Sequence, residues 1–289
     1  MRELRELTRY HATLVAERTQ AVNRLHKLLE GANLKLGAVA SDVLGKSGRD
    51  MLEAILAGEG DPQTLAERAR GRLRAKLPLL RQALDGRVQA FQRVVLRHLL
   101  DQMDFLERQL AHLVVEIEER LAPVAEAVAV ALLETIPCVG HTAATTSVAE
   151  LGDDMSRFAS AKHLASWAGV CPGNKQSAGK RLGGKTTNGN TWLRAILGEV
   201  AWSIAHTSNT YLAAQYHRLA RRRGRQKAIV AVCHTLVIII YHLLRDRAPY
   251  HDLGADYFER LDTSRLQRHD VQRLQTLGFT VTLTPAGAA

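Results

Sequence analysis

Cysteine is scarce. Cys138, Cys171 and Cys233 are three in 289 residues and form no Cys-x-x-Cys pair. That spacing argues against a disulfide framework or a zinc site and fits a reducing cytoplasm. The twelve histidines are scattered, with no metal-type pairing against cysteine or acid, so no metal set is expected in this chain. Aromatics are only 5%, so the core that 46% hydrophobic content can build is one of Leu, Val, Ala and Ile. A long apolar run is also missing. The richest, residues 228–244, is 17 residues long and contains His234 and His242, which reads as a buried core helix and not a membrane span. The start, Met-Arg-Glu-Leu-Arg-Glu-Leu, is charged and amphipathic, unlike a signal peptide. Neither a polybasic anchor nor a lipidation signal is visible, so no membrane partner is expected.

Acid is the most unevenly withheld residue type. Residues 155–245 hold fourteen Lys and Arg against one acid, Glu199, while the rest of the chain holds 25 bases against 28 acids. A strongly basic segment beside a near-neutral one suits an acidic polymer. The competing partner for such charge is an anionic membrane surface.

Leu4, Leu7, His11, Leu14, Arg18, Ala21, Leu25 and Leu28 step by three and four, which predicts a long helix over 1–30. Val95, Leu99, Met103, Leu106, Leu110, Leu113, Ile117 and Leu121 repeat the pattern over 87–121. Between them Gly31, Gly37, Gly45, Gly48, Gly58, Gly60 and Pro62 break the chain into short helical pieces. Ser47 is a candidate cap for a helix over 48–56, and Asp61-Pro62 reads as an N-cap followed by proline at the first helical position. The expected arrangement is an antiparallel coiled-coil hairpin with a small helical knob at its tip. Pro123 marks a boundary, giving 1–122 as the coiled-coil linker, 123–265 as a second helical domain and 266–289 as a C-terminal helix and tail.

After Pro123 an apolar helix over 124–134 leads to Thr135-Ile-Pro-Cys-Val-Gly-His-Thr. A helix, a tight turn closing on Gly140 and a second helix from Thr142 make a helix-hairpin-helix pattern. The second helix could direct its N–H groups at a DNA phosphate; the plain alternative is a helix–helix corner. Asp153 and Asp154 read as capping groups, and a short helix over 160–168 is expected to turn Trp167 inward. Helices are also expected over 191–206, 209–220 and 264–277, with one short strand at 279–283. The fold class is all-α.

The most unusual stretch is 169–194. It holds six glycines within 21 residues, at 169, 173, 179, 183, 184 and 189, interleaved with Lys175, Lys180, Arg181, Lys185 and Arg194, and no acid. Glycine permits close backbone approach and positive φ. A cationic, hydroxyl-bearing loop leading into a helix suits a phosphate backbone, and a solvated basic loop is the plain alternative. Arg221, Arg222, Arg223, Arg225 and Lys227 follow; five cations exceed what capping a helix C-terminus needs, and phosphate contact is the favoured reading. Ser177 lies between lysines beside a glycine. Alone it is a weak nucleophile, although nearby cations could hold a scissile phosphate and stabilise the charge that develops on it.

Thr135-Ile-Pro-Cys-Val-Gly, Phe158-Ala-Ser-Ala-Lys-His-Leu-Ala-Ser-Trp-Ala-Gly-Val-Cys-Pro-Gly-Asn, Gln176-Ser-Ala-Gly-Lys-Arg, Asn190-Thr-Trp-Leu-Arg and Asp252-Leu-Gly-Ala-Asp-Tyr-Phe resemble the C-terminal half of insertion-sequence transposases of the IS one-ten family. The likeness is sharpest over 131–262, where the motifs occur in order. It implies a DNA recombinase in which the serine of a Ser-x-Gly motif, here Ser177-Ala178-Gly179, attacks DNA and forms a phosphoserine link. It further implies a RuvC-like half whose four acids hold divalent metal such as Mg, a guide RNA encoded by the element, and action as a dimer or tetramer. The chain opens where the family's coiled coil should begin, so the RuvC-like half is expected to be missing from it and independent activity is not expected. Cys138 stands where many relatives have glycine. A non-catalytic, dimerising nucleic-acid scaffold is the alternative function.

Overall fold

The structure, a computed structural model, describes residues 1–121, 124–173 and 175–283, without the side chains of 124, 125, 175, 176, 181, 182, 262 and 264–266. The boundary at Pro123 and the tail at 284–289 lie outside the described residues. The chain divides into two compact units, 6–119 and 120–289, the latter joined by residues 1–5. The fold is all-α apart from one two-stranded ribbon.

In the unit 6–119, α1 (Arg2–Gly31) and α6 (Ala90–Leu121) are the long helices. Between them lie α2 (Leu36–Val39), α3 (Lys46–Leu56), α4 (Pro62–Glu67), a 3-10 turn (Gly71–Lys76) and α5 (Leu77–Ala83). Ala21, Leu25 and Leu29 from the end of α1 share one core with Leu96, Leu99, Leu100 and Met103 from the start of α6, so the two helices run antiparallel. Arg18 Nη2 donates to Glu107 Oε1 at 2.7 Å between them.

The seam of α6 and the start of α3 both differ from the sequence expectation. Val95 is 45% exposed, and Leu96 and Leu100 are buried in its place. The start of α6 packs against Met51, Leu52 and Ile55 of α3 as well as against α1, which widens its apolar stripe beyond a two-helix seam. Ser47 does not cap α3, which begins at Lys46 after Gly45; its Oγ accepts the Arg70 N–H at 2.9 Å. Asp61 does cap α4, accepting from the N–H groups of Gln63 and Thr64.

The second unit comprises α7 (Val124–Glu134), α8 (His141–Leu151), a 3-10 turn (Met155–Arg157), α9 (Ala161–Trp167), β1 (Lys175–Ser177), β2 (Lys180–Gly183), α10 (Thr191–Ile204), α11 (Tyr211–Arg223), α12 (Arg225–Asp246) and α13 (Tyr257–Thr276). α12 is its axis and packs against α7, α9, α10 and α11. By length and hydropathy α12 could cross a membrane, but half of its apolar window is buried inside the unit. Ala228, Val232, Leu236, Val237, Ile240 and Leu244 form the covered face. Asp252 ties the following loop to α11, its Oδ1 accepting from the N–H groups of Tyr211 and Gly254 at 3.1 and 2.7 Å. Tyr250 donates its hydroxyl to Asp252 Oδ2 at 3.1 Å, and burial pushes its phenol pKa up. Phe258 stacks on Tyr211, with the Arg218 guanidinium 5.0 Å from its ring.

The strand expected at 279–283 is not formed; those residues have no regular structure. A strand needs an edge to pair with, and β1–β2 is the one sheet among the described residues. Phe279 and Leu283 are 63% and 60% exposed, so the alternation buries no face. Trp167 is likewise not turned inward but 41% exposed, its ring edge-on to Phe158 at 5.6 Å. The inner face of α9 is carried by Ala161, Leu164, Ala165 and, just past its end, Ala168, at helical spacing, which leaves position 167 on the other side.

Candidate nucleic-acid interface

The glycine-rich stretch is a β-hairpin on a closed neck. α9 ends in a Schellman arrangement: Gly169 takes φ +71°, and Val170 N–H donates to Ala165 O across it. Asn190 N–H donates to Trp167 O, so the strands leave and return at the same place. There Gly169 and Gly189 pack backbone on backbone. A Cβ on Gly189 would fall on the Gly169 nitrogen and lie 2.5 Å from the Ala168 carbonyl carbon. Beyond the neck Pro172 pairs with Thr186, Gly173 N–H donates to Lys185 O at 2.9 Å, and Ser177 pairs with Lys180. Ala178 and Gly179 close the tip, both with positive φ (49° and 74°), the signature of a type I′ turn. Several of the glycines thus serve approach of the chain to itself, where the sequence suggested approach to a ligand.

Ser177 sits at the end of β1, exposed, immediately before the turn. Gly179, Lys180 and Lys185 are exposed. Lys175 and Arg181 fall on the strands, with side chains outside the described residues. Arg194 is exposed on α10 and reaches back to the neck, donating from Nη1 to Thr187 O at 3.4 Å.

The hairpin's base is anchored by groups that the sequence did not single out. Asn190 caps α10, its Oδ1 accepting the Leu193 N–H at 2.9 Å. Its Nδ2 donates to Glu150 Oε2 at 2.6 Å. Glu150 lies near the end of α8 and is only 3% exposed. Arg5 joins from α1, its Nε 3.7 Å from the same carboxylate oxygen while Nε and Nη2 donate to the carbonyls of Ala149 and Glu150. The available sequence signal was an acid on the apolar face of a short helix, a position that demands a partner.

α7 and α8 pack together across a turn in which Cys138 takes φ +66°. Among the described residues no side chain caps α8, and Gly140 and Thr142 at its start are exposed. His141 Nδ1 lies 2.6 Å from Glu134 Oε1 across the turn. A left-handed non-glycine residue costs about 1–2 kcal/mol, and glycine's extra freedom when unfolded gives back roughly 0.5–1 kcal/mol. Cys138→Gly is therefore expected to stabilise the unit by about 0.5–1 kcal/mol, read as a higher midpoint in calorimetry; a lower midpoint would contradict the turn geometry.

Arg221, Arg222, Arg223, Arg225 and Lys227 line the corner between α11 and α12, around Gly224 at φ +85°, and all are exposed. The first three complement the end of α11, whereas Arg225 and Lys227 sit at the start of α12, where cations oppose the helix dipole. No hydrogen bond or ion pair among the described residues joins this corner to the hairpin. Among the described residues no group of three or more His, Cys, Asp or Glu could hold a metal ion. The three cysteines are unpaired. Burial pushes the Cys233 thiol pKa up to about 11 and also raises that of Cys171.

A comparison with curated proteins finds no match. A family model does match: residues 130–218, from α7 through the hairpin and into α11, fit the transposase IS116/IS110/IS902 family. That segment contains the α7–α8 turn, the Glu150–Asn190 anchor and the Ser177 hairpin. Over that segment, about a third of its length, the chain is similar to the transposase IS116/IS110/IS902 family, a likeness that supports transposition or recombination in general.

Proposed function

We propose that Ser177 is the nucleophile of a DNA recombinase and that this chain carries the C-terminal part of that enzyme. The observation that carries the reading is the exposed Ser177 hydroxyl at the tip of a hairpin whose neck is locked, with Lys180 opposite it. Its Oγ attacks a DNA phosphorus, forms a Ser–O–P bond and breaks the bond from phosphorus to one deoxyribose oxygen. The proton lost from Oγ is balanced by the proton that the departing deoxyribose hydroxyl gains. Lys180, with Lys175 and Arg181 on the same strands, offsets the charge that develops on the phosphate.

Positioning falls to surfaces away from the reacting atom. The start of α8 at Gly140 and Thr142 meets backbone phosphate in the helix-hairpin-helix manner. Arg194, Lys185 and the cations at 221–227 add sequence-independent affinity. The base and the divalent metal come from a RuvC-like half, held by an acidic set that the described residues do not supply. A guide RNA and assembly as a dimer or tetramer complete the reading, which operates in the cytoplasm.

Supplying the RuvC-like half and target DNA is expected to give a covalent protein–DNA adduct on denaturing gels. Ser177→Ala should abolish it while DNA affinity at fixed salt stays within about twofold. An undiminished adduct in that variant rejects the nucleophile. Salt-dependent binding with no adduct in any combination favours the non-catalytic scaffold.

A further inference from the structure

We propose that the helical knob of the unit 6–119 carries a second phosphodiester-binding surface, the strap formed by residues 68–76. The strap reads Arg-Ala-Arg-Gly-Arg-Leu-Arg-Ala-Lys, five cations in nine residues without an acid. Charge averaged over the whole N-terminal part hides it. All five side chains are exposed.

The strap is also fixed in place. Arg70 is held twice, its N–H donating to Ser47 Oγ and its Nη2 lying 2.6 Å from Asp50 Oδ2. Lys76 Nζ donates to Val39 O at 3.2 Å. Ala69 is buried, Leu73 packs against the core, and residues 71–76 wind as a 3-10 turn. Arg70 and Lys76 therefore anchor the strap, whereas the side chains of Arg68, Arg72 and Arg74 make no hydrogen bond or ion pair among the described residues. Three unpaired guanidiniums on a pinned backbone lose little freedom on meeting a planar, multiply charged acceptor. Burial and folding account for the anchors but not for these three. The occupant that fits is the backbone of a nucleic acid, whose repeating phosphates match arginines spaced along a strap.

The test is fluorescence anisotropy of the full chain with a labelled single-stranded RNA and, separately, a labelled DNA duplex, titrated at several KCl concentrations. Each phosphate contact contributes about 0.7–0.9 to the slope of log affinity against log salt. For Arg68→Gln/Arg72→Gln/Arg74→Gln the slope is expected to fall by about two and affinity at the lowest salt by at least tenfold, on whichever probe the strap engages. The corresponding triple lysine variant should keep most of the slope, and thermal midpoints should not move, because among the described residues none of the three side chains makes a hydrogen bond or ion pair. An unchanged slope on both probes overturns the proposal. In Arg221→Gln/Arg222→Gln/Arg223→Gln, which leaves the strap intact, residual salt-dependent binding is expected; its complete loss also overturns the proposal.

Discussion

Glu150→Leu is expected to lower the stability of the second unit by about 2–3 kcal/mol and to loosen the base of the Ser177 hairpin. Removing one partner of a buried ion pair typically costs about 3–5 kcal/mol; Arg5 keeps 31% of its side-chain surface in water, which reduces the figure. Two losses combine. Asn190 Nδ2 loses its 2.6 Å acceptor, so the cap of α10 is no longer held against α8. Arg5 keeps its bonds to the carbonyls of residues 149 and 150 but loses the Glu150 carboxylate. Glu150→Gln, which retains a carbonyl for Asn190, should cost about half as much. Added to Glu150→Leu, Asn190→Ala should cost less than it does alone, since both delete the 2.6 Å contact and only the cap of α10, worth about 1 kcal/mol, remains to be lost. Calorimetry of the single and double variants checks this, and a double variant whose loss equals the sum of the singles would separate the two residues. Adduct formation should fall by at least tenfold in Glu150→Leu, because small displacements of a reacting group are costly.

Gly189→Ala should disrupt the hairpin's neck. The new Cβ falls on the backbone of Ala168 and Gly169, which cannot rotate away as a side chain would. Overpacking of this kind costs about 1–3 kcal/mol, and the strands must part to relieve it. Trypsin should then cut at the hairpin's cations faster than in the parent chain. Gly183→Ala is the control: a Cβ there meets nothing within 4 Å and φ is ordinary, so both stability and digestion should stay near the parent. Equal behaviour of the two variants would mean that the neck is not closed as described.

Periodicity made the helices legible. The apolar steps along α1 and α6, the proline and acid at the start of α4, and the apolar run of α12 each express a local rule that the fold obeys. Where tertiary packing decides, that rule failed. Val95 fits a two-helix seam, but α3 supplies a third neighbour and draws in Leu96 and Leu100 instead. Trp167 is large and apolar, yet α9 fills its inner face with alanines and one leucine, so the ring stays outside.

The candidate site was legible in composition and hidden in geometry. Glycines and cations marked the loop at 169–194, but its strands are three and four residues long, too short to show alternation. Their pairing rests on the neck, where Gly169 meets Gly189 twenty residues away in sequence. Glu150 and Arg5 were invisible as a pair because 145 residues separate them, and no local pattern encodes that contact.

The most direct test of the account is the chemical identity of the linked residue. A protein–DNA adduct formed with the RuvC-like half present should be digested with nuclease and protease and the modified peptide sequenced by mass spectrometry. A nucleotide or phosphate remnant on Ser177 is the predicted result. A remnant on any other side chain, or DNA joined without a covalent protein intermediate, would contradict it.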